Sequence, residues 1–246
     1  MTTIDRFCAH HLAAPAIAIC TECDQDICAP CHGMDLRGFA MCTPCRAQYA
    51  PPEIFWEMAE WRWTFVGFVR TLIDVICAPR SFFTRTGPSA DWAPAAVFGG
   101  ICMGVGMFFS TLHQYTFRPE FMTTLQGYAD KFDITLETAR LYVFASIPLA
   151  AFVSMLMHVF LLFSALKIFG ANATLPQTIR IVGYAAAAYL FLLIPPIGTF
   201  GIGHFLMIIW LFNLEVNAVR WFYNLGFWKS MGVVLIPFMF ILMLGS

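Results

Sequence analysis

Residues 141–168 read LYVFASIPLAAFVSMLMHVFLLFSALKI. The only fixed charge in this stretch is Lys167, one residue from its end. A helix needs about 20 predominantly apolar residues to cross the hydrocarbon of a bilayer, so this one is long enough to span with tilt or to extend past the membrane. Four further segments, about 93–112, 179–195, 200–219 and 231–245, have the same character and make five spanning candidates. Composition agrees: 59% of the 246 residues are apolar, 12% are charged, and the mean hydropathy is +0.71. A soluble domain carries about 25% charged residues. The fold class expected is an all-α polytopic membrane bundle. A net charge of −1 and the lack of a basic patch exclude a nucleic-acid binder.

Within the body, Gly100, Gly104 and Gly106 give the first span small residues at spacings that permit close helix contact. The third span ends at Pro195-Pro196, with Gly198 beyond, so the third and fourth should form a tight hairpin. Thr135, with Glu137 and Thr138 after it, is placed to start the second spanning helix. Orientation follows from Lys and Arg. With the N-terminus inside, inner segments hold eleven of them, Lys167, Arg180, Arg220 and Lys229 included, and outer segments hold Arg118, Lys131 and Arg140. The N-terminus is therefore expected in the cytoplasm.

The cysteines tell a second story. Seven of nine lie between Cys8 and Cys45, in the pairs Cys8-x2-His11, Cys20-x2-Cys23, Cys28-x2-Cys31 and Cys42-x2-Cys45. Eight thiolate and imidazole ligands suffice for two tetrahedral zinc ions, and two ligands separated by two residues grip one ion from a tight knuckle. A disulfide framework would leave one of the seven cysteines unpaired and His11 without a role. So short a segment buries too little apolar surface to fold alone, whereas a structural zinc contributes roughly 10–16 kcal/mol in model peptides. His10 and His32 adjoin ligands as substitutes. Protein ligands fill every coordination position, which makes the sites structural rather than catalytic. A reducing cytosol also suits free thiols. The apolar run Leu12–Cys20 is too short for a signal peptide and has bulky Ile19 at the cleavage position, so it is expected to be retained.

Pro51-Pro52 ends this module. Over residues 53–76 the polar or small positions Glu53, Glu57, Glu60, Thr64, Gly67, Thr71 and Asp74 oppose an apolar stripe of Ile54, Met58, Trp61, Phe65, Phe68, Leu72 and Ile76. That pattern predicts an amphipathic helix, with Trp56, Trp61 and Trp63 near its start, lying in the membrane interface or against the body's own helices. Domains are expected at 1–50 (metal module), 51–90 (amphipathic helix and linker) and 91–246 (five-helix body).

Two resemblances add to these readings. The spacing C-x2-H-x8-C-x2-C-x4-C-x2-C-x10-C-x2-C, with Ile27 before Cys28, resembles the B-box zinc finger, and most of all the bacterial variant fused to membrane domains. The resemblance implies a cross-brace: one zinc on Cys8, His11, Cys28 and Cys31, the other on Cys20, Cys23, Cys42 and Cys45. A sequential arrangement would use the same residues. Over residues 75–245, the five-span count and three sequence features resemble the Yip (Ypt-interacting protein) family of membrane domains. The sequence features are Pro79-Arg80-Ser81-Phe82-Phe83 before the first span, the Pro195-Pro196-Ile197-Gly198 turn, and the stretch from Thr178-Ile179-Arg180 through Tyr184. In eukaryotes that family is associated with small GTPases and vesicle traffic.

Ionisable groups inside a membrane mark functional sites by default. His158, His204 and Glu215 are such groups. As one site they would serve a transporter or channel for an ion or small solute. Glu215 could equally sit at the interface beside Arg220, with each histidine satisfied by a nearby Ser, Thr or carbonyl. No nucleophile elbow, phosphate loop or HExxH pair appears, and an enzyme is not expected. The leading expectation is a scaffold or adaptor in a bacterial inner membrane. Its partners would be the lipid bilayer and a cytosolic protein bound through the zinc module, with homo-oligomerisation left open.

Overall fold

The computed structural model describes residues 7–11, 13–34, 40–42, 45, 54–86, 91–196 and 201–245. The chain divides into two compact units, Met1–Ile54 with Thr84–Gly87, and Phe55–Phe83 with Pro88–Ser246.

The first unit is built from two short antiparallel hairpins. Strand β1 (Ala18–Ile19) pairs with β2 (Asp26–Ile27), and β3 (His32–Met34) with β4 (Ala40–Cys42). A 3-10 turn, Ala29–Cys31, joins the hairpins. Its buried core consists of Ile27, Met41 and five cysteines, with Ala14, Ala18, Ala40 and Cys45 packed around them. A core in which sulfur outnumbers hydrocarbon side chains gives little hydrophobic stabilisation, as the composition of the segment foretold.

The second unit is helical. It contains α1 (Phe65–Cys77), most of α2 (Pro79–Arg85), α3 (Ala93–Phe117), α4 (Pro119–Phe132), α5 (Leu136–Ile168), α6 (Leu175–Ala185) running into a 3-10 segment (Ala186–Leu193), α7 (Ile202–Tyr223) and α8 (Phe227–Gly245). Three of these, α3, α5 and α7, are long and apolar enough to cross a membrane. Helix α5 shows why water cannot be the surrounding medium. Ile147, Ala151, Met155, His158, Leu162 and Ala165 recur at helical spacing as its buried stripe. The opposite face is equally apolar, with Leu149, Phe152, Leu156 and Phe160 all more than half exposed. A helix apolar on both faces is one that meets lipid. Thr135 caps α5 as expected, its side chain accepting from the Thr138 N–H.

Close approach of α3 to α6 and its 3-10 extension forms the centre of the unit. A Cβ on Gly99 would stand 2.7 Å from the Gly183 backbone, and one on Gly106 would run into the Tyr189 carbonyl, so both positions need glycine. Of Gly100, Gly104 and Gly106, the glycines singled out in the first span, Gly106 alone makes such a contact. Gly100 and Gly104 meet nothing within 4 Å and instead line an apolar groove of about 650 Å³ between α3 and α5. The turn after Pro195-Pro196 lies partly outside the described residues, but the 3-10 segment and α7 do pack closely. A Cβ on Gly203 would sit 2.5 Å from the Phe191 carbonyl oxygen.

The amphipathic helix exists but begins at Phe65, not at residue 53. Trp63 adopts a left-handed backbone (φ +65°), which a helix interior does not tolerate, and Thr64 then caps α1 by accepting from the Gly67 N–H at 3.0 Å. Residues 55–63 form turns that fold back onto the helices. Trp56 is only 3% exposed: its backbone N–H donates to Thr71 Oγ1 (3.0 Å) and its indole N–H to the Pro94 carbonyl (2.7 Å). Its ring also stands edge-on to Phe68 and Phe98. The stretch from 119 to 132, within the outer segment that holds Arg118, Lys131 and Arg140, is helix α4 and closes at Asp133 in the left-handed conformation.

Candidate metal centres and buried polar pairs

Local turns in the first unit set each cysteine pair. The His11 N–H donates to the Cys8 carbonyl and the Cys31 N–H to the Cys28 carbonyl, closing the two knuckles of one set. In the other, the β1–β2 connection carries Cys20 and Cys23, with Asp24 left-handed and its N–H on the Cys20 carbonyl. Strand β4 delivers Cys42, whose N–H donates to Cys20 Sγ at 3.2 Å. The pairs then interleave. Cys8, His11, Cys28 and Cys31 form one group, and Cys20, Cys23, Cys42 and Cys45 the other; the ligand atoms within each lie within 4.8 Å of one another.

The spacing fits a tetrahedral ion. With metal–sulfur bonds near 2.3 Å and metal–nitrogen bonds near 2.0 Å, ligand atoms of one tetrahedron stand about 3.5–3.8 Å apart. His11 Nδ1 lies 3.1, 3.4 and 3.9 Å from the sulfurs of Cys31, Cys28 and Cys8. Cys23 and Cys42 sulfurs are 3.8 Å apart. Each group can hold a metal ion. His10 is exposed and belongs to neither group; the His32 side chain lies outside the described residues.

Electrostatics agree with the geometry. Burial pushes the Cys8 thiol up, but N–H donors from the Cys28 and His10 backbone overcome it and bring the pKa down to about 6. Cys20 is likewise raised by burial and drawn down to about 6, chiefly by the Cys42 and Glu22 backbone. Crowding acts on the others. Burial and the neighbouring Cys8 and Cys28 push Cys31 up to about 12, and Cys45 is raised by its bonds to Cys42 and Cys23 and by burial. Thiols so close together cannot all ionise unless a cation shares their charge.

In the second unit the structure pairs residues that the sequence left apart. Arg180, 1% exposed, donates from Nη2 to both oxygens of Glu57 at 2.7 and 2.8 Å. The Tyr184 hydroxyl donates to Glu57 Oε1 at 2.6 Å. By sequence alone Arg180 reads as an inner-segment charge and Glu57 as part of the polar face of a helix. Instead they form a buried ion pair that fastens the turns at 55–63 to α6.

Of the three intramembrane candidates, two meet. His158 Nε2 on α5 stands 2.8 Å from Glu215 Oε1 on α7, both buried, although the angle is not that of a hydrogen bond. Glu215 therefore does not reach out beside Arg220. His204 shares a 3.1 Å hydrogen bond with Ser110. It lies eleven residues from Glu215 along α7, about 16 Å at helical rise. The three do not make one site. Sequence reading expected a Ser, Thr or carbonyl partner for each histidine; His204 has one in Ser110, whereas His158 has a carboxylate.

No curated protein and no solved structure matches the chain at a significant level. The family model of the Yip1 domain matches residues 73–246. That stretch takes in α3 to α8, the Arg180–Tyr184 face and the His158–Glu215 pair, and covers most of the sequence. The chain belongs to the Yip1 domain family.

Proposed function

We propose that this is a non-enzymatic membrane adaptor of a bacterial inner membrane. Its N-terminal, B-box-type module binds two zinc ions and recruits a cytosolic protein, while a five-span body anchors it. Exposed hydrocarbon on the module carries this reading. Ile17 and Ile19 flank the inward-packed Ala18 and are 60% and 44% exposed, with Phe7 at 52%. A fold with so little core has reason to leave large apolar side chains outside only where another surface covers them.

Five spans are supported by lengths. Helix α6 and its 3-10 continuation cover Leu175–Leu193; at about 1.5 Å per α residue and 2.0 Å per 3-10 residue they reach roughly 32 Å, the thickness of a bilayer core. Helix α8, with 19 residues, reaches roughly 28 Å. With Arg180 removed from the inner tally, ten basic residues still face three, so a cytoplasmic N-terminus remains favoured.

A photo-crosslinking residue at Ile17 or Ile19, introduced into the full chain in cells, tests the adaptor reading. The expected result is a discrete protein adduct that an Ile19→Asp change reduces while metal content and membrane insertion stay normal. Adducts to lipid alone, or protein adducts indifferent to Ile19→Asp, would refute it.

A further inference from the structure

Ser110, His113, Gln114 and Arg118 stand at i, i+3, i+4 and i+8, which places them along one face at the C-terminal end of α3. Together with Gly201 and His204 at the start of α7, and Ile194 and Pro196 ahead of it, they line a cavity of about 380 Å³. Every ionisable side chain on its wall is basic: His113, Arg118 and His204. Among the described residues no carboxylate forms an ion pair with Arg118. The nearest acid along the chain, Glu120, is exposed in the first turn of α4 and does not line the cavity. Ser110 and His204 satisfy one another across 3.1 Å. That leaves the Arg118 guanidinium, the His113 ring and the Gln114 amide as the polar groups the cavity offers to a ligand.

The backbone adds to this. Helix α7 starts at the cavity, and its N-cap, Gly201, has no side chain to cap the first turn. The first N–H groups of a long helix carry partial positive charge and lack intrahelical acceptors, an arrangement that binds anions. A planar guanidinium that presents several donors suits a multi-oxygen anion. The position narrows the class further. The cavity lies where two candidate spans, α3 and α7, end, which is the depth of lipid headgroups. The geometry points to a site for a phosphate group, held by Arg118, His113, Gln114 and the first turn of α7. Its source is either an anionic lipid headgroup or a soluble phosphate.

The test uses the full chain in uncharged detergent and in nanodiscs. Inorganic phosphate is titrated at constant ionic strength with the melting temperature as readout, and lipid retention by native mass spectrometry is compared in phosphatidylcholine discs with and without phosphatidic acid. The wild-type chain should respond to at least one probe. A response to inorganic phosphate identifies a soluble ligand; a response to phosphatidic acid alone identifies a headgroup. Arg118→Gln should weaken that response at least about tenfold, the loss of a charged hydrogen bond. Arg118→Lys should retain part of it, and Lys131→Gln, which removes an exposed cation from α4, should leave it intact. His113→Phe supplies a second variant, expected to weaken the response in the same direction. No response to either probe, or an equal response in wild type, Arg118→Gln and His113→Phe, would overturn the site.

Discussion

Replacing Glu57 with glutamine removes one charge, keeps the side chain's shape and leaves an acceptor for the Tyr184 hydroxyl. What it takes away is the carboxylate to which Arg180, 1% exposed, donates at 2.7 and 2.8 Å. Stranding one member of a buried pair costs about 3–5 kcal/mol. Glu57 retains 21% exposure, so water partly relieves the site and the lower end, about 3 kcal/mol, is expected. For a body of this size each kcal/mol is worth about 2–4 °C, so Glu57→Gln should lower the melting temperature in detergent by roughly 6–12 °C. Arg180→Met should cost less, because the carboxylate it strands keeps Tyr184 and some solvent. The double change should be milder than Glu57→Gln alone, since it removes both charges of the pair. The informative quantity is this reversal of order. If Glu57→Gln costs under about 1 kcal/mol, or the double change is the worst of the three, the pair is solvated and the turns at 55–63 are not held to α6.

Three further outcomes follow from other parts of the structure. Cys20→Ser with Cys23→Ser should remove about one zinc per chain by elemental analysis while the membrane body still inserts; unchanged metal content would refute the ligand grouping. Gly99→Ala forces a Cβ to within 2.7 Å of the Gly183 backbone and should destabilise by about 1–3 kcal/mol, whereas Gly100→Ala, one residue on, meets open space and should be neutral or stabilising by up to about 1 kcal/mol in the same unfolding assay. His158→Ala strands the buried Glu215 and should cost about 3–5 kcal/mol, while Glu215→Gln leaves only a neutral imidazole and should cost clearly less; equal costs would show that the two do not interact.

What the sequence revealed and what it hid divide by distance along the chain. The Cys/His knuckles were legible because each is local, two residues of spacing dictating a turn, whereas their grouping into two interleaved sets needs the hairpins that carry them. The long spans were legible because a bilayer imposes composition over twenty consecutive positions. Pairing between elements was not. Glu57 and Arg180 lie 123 residues apart, and each had an adequate local explanation. A signal was present nonetheless: Arg180 and Tyr184 are four apart, so a cation and a hydroxyl share one face of an otherwise apolar helix, and such a face calls for an acid. The glycines failed for a different reason. Gly99 and Gly100 are adjacent, and helical spacing within α3 alone cannot say which of the two faces α6. Only the neighbouring helix decides that.

The family match and the physical unit also disagree about where the membrane domain begins. The match starts at residue 73, inside α1 (Phe65–Cys77), and a helix cannot be entered midway without losing its cap. Thr64 supplies that cap, and Thr71 Oγ1 receives the Trp56 N–H. Upstream again, the Trp56 indole N–H donates to the Pro94 carbonyl in the first turn of α3, and Glu57 pairs with Arg180 in the centre of the match. Residues 56–71 therefore supply buried polar contacts to the matched region from outside it. A lost hydrogen bond costs about 0.5–1.5 kcal/mol and one to a charged group about 1.5–3 kcal/mol, an appreciable fraction of what a domain has in total. The segment from Phe55 to Phe83 thus packs with the bundle, and the second compact unit of this chain takes it in.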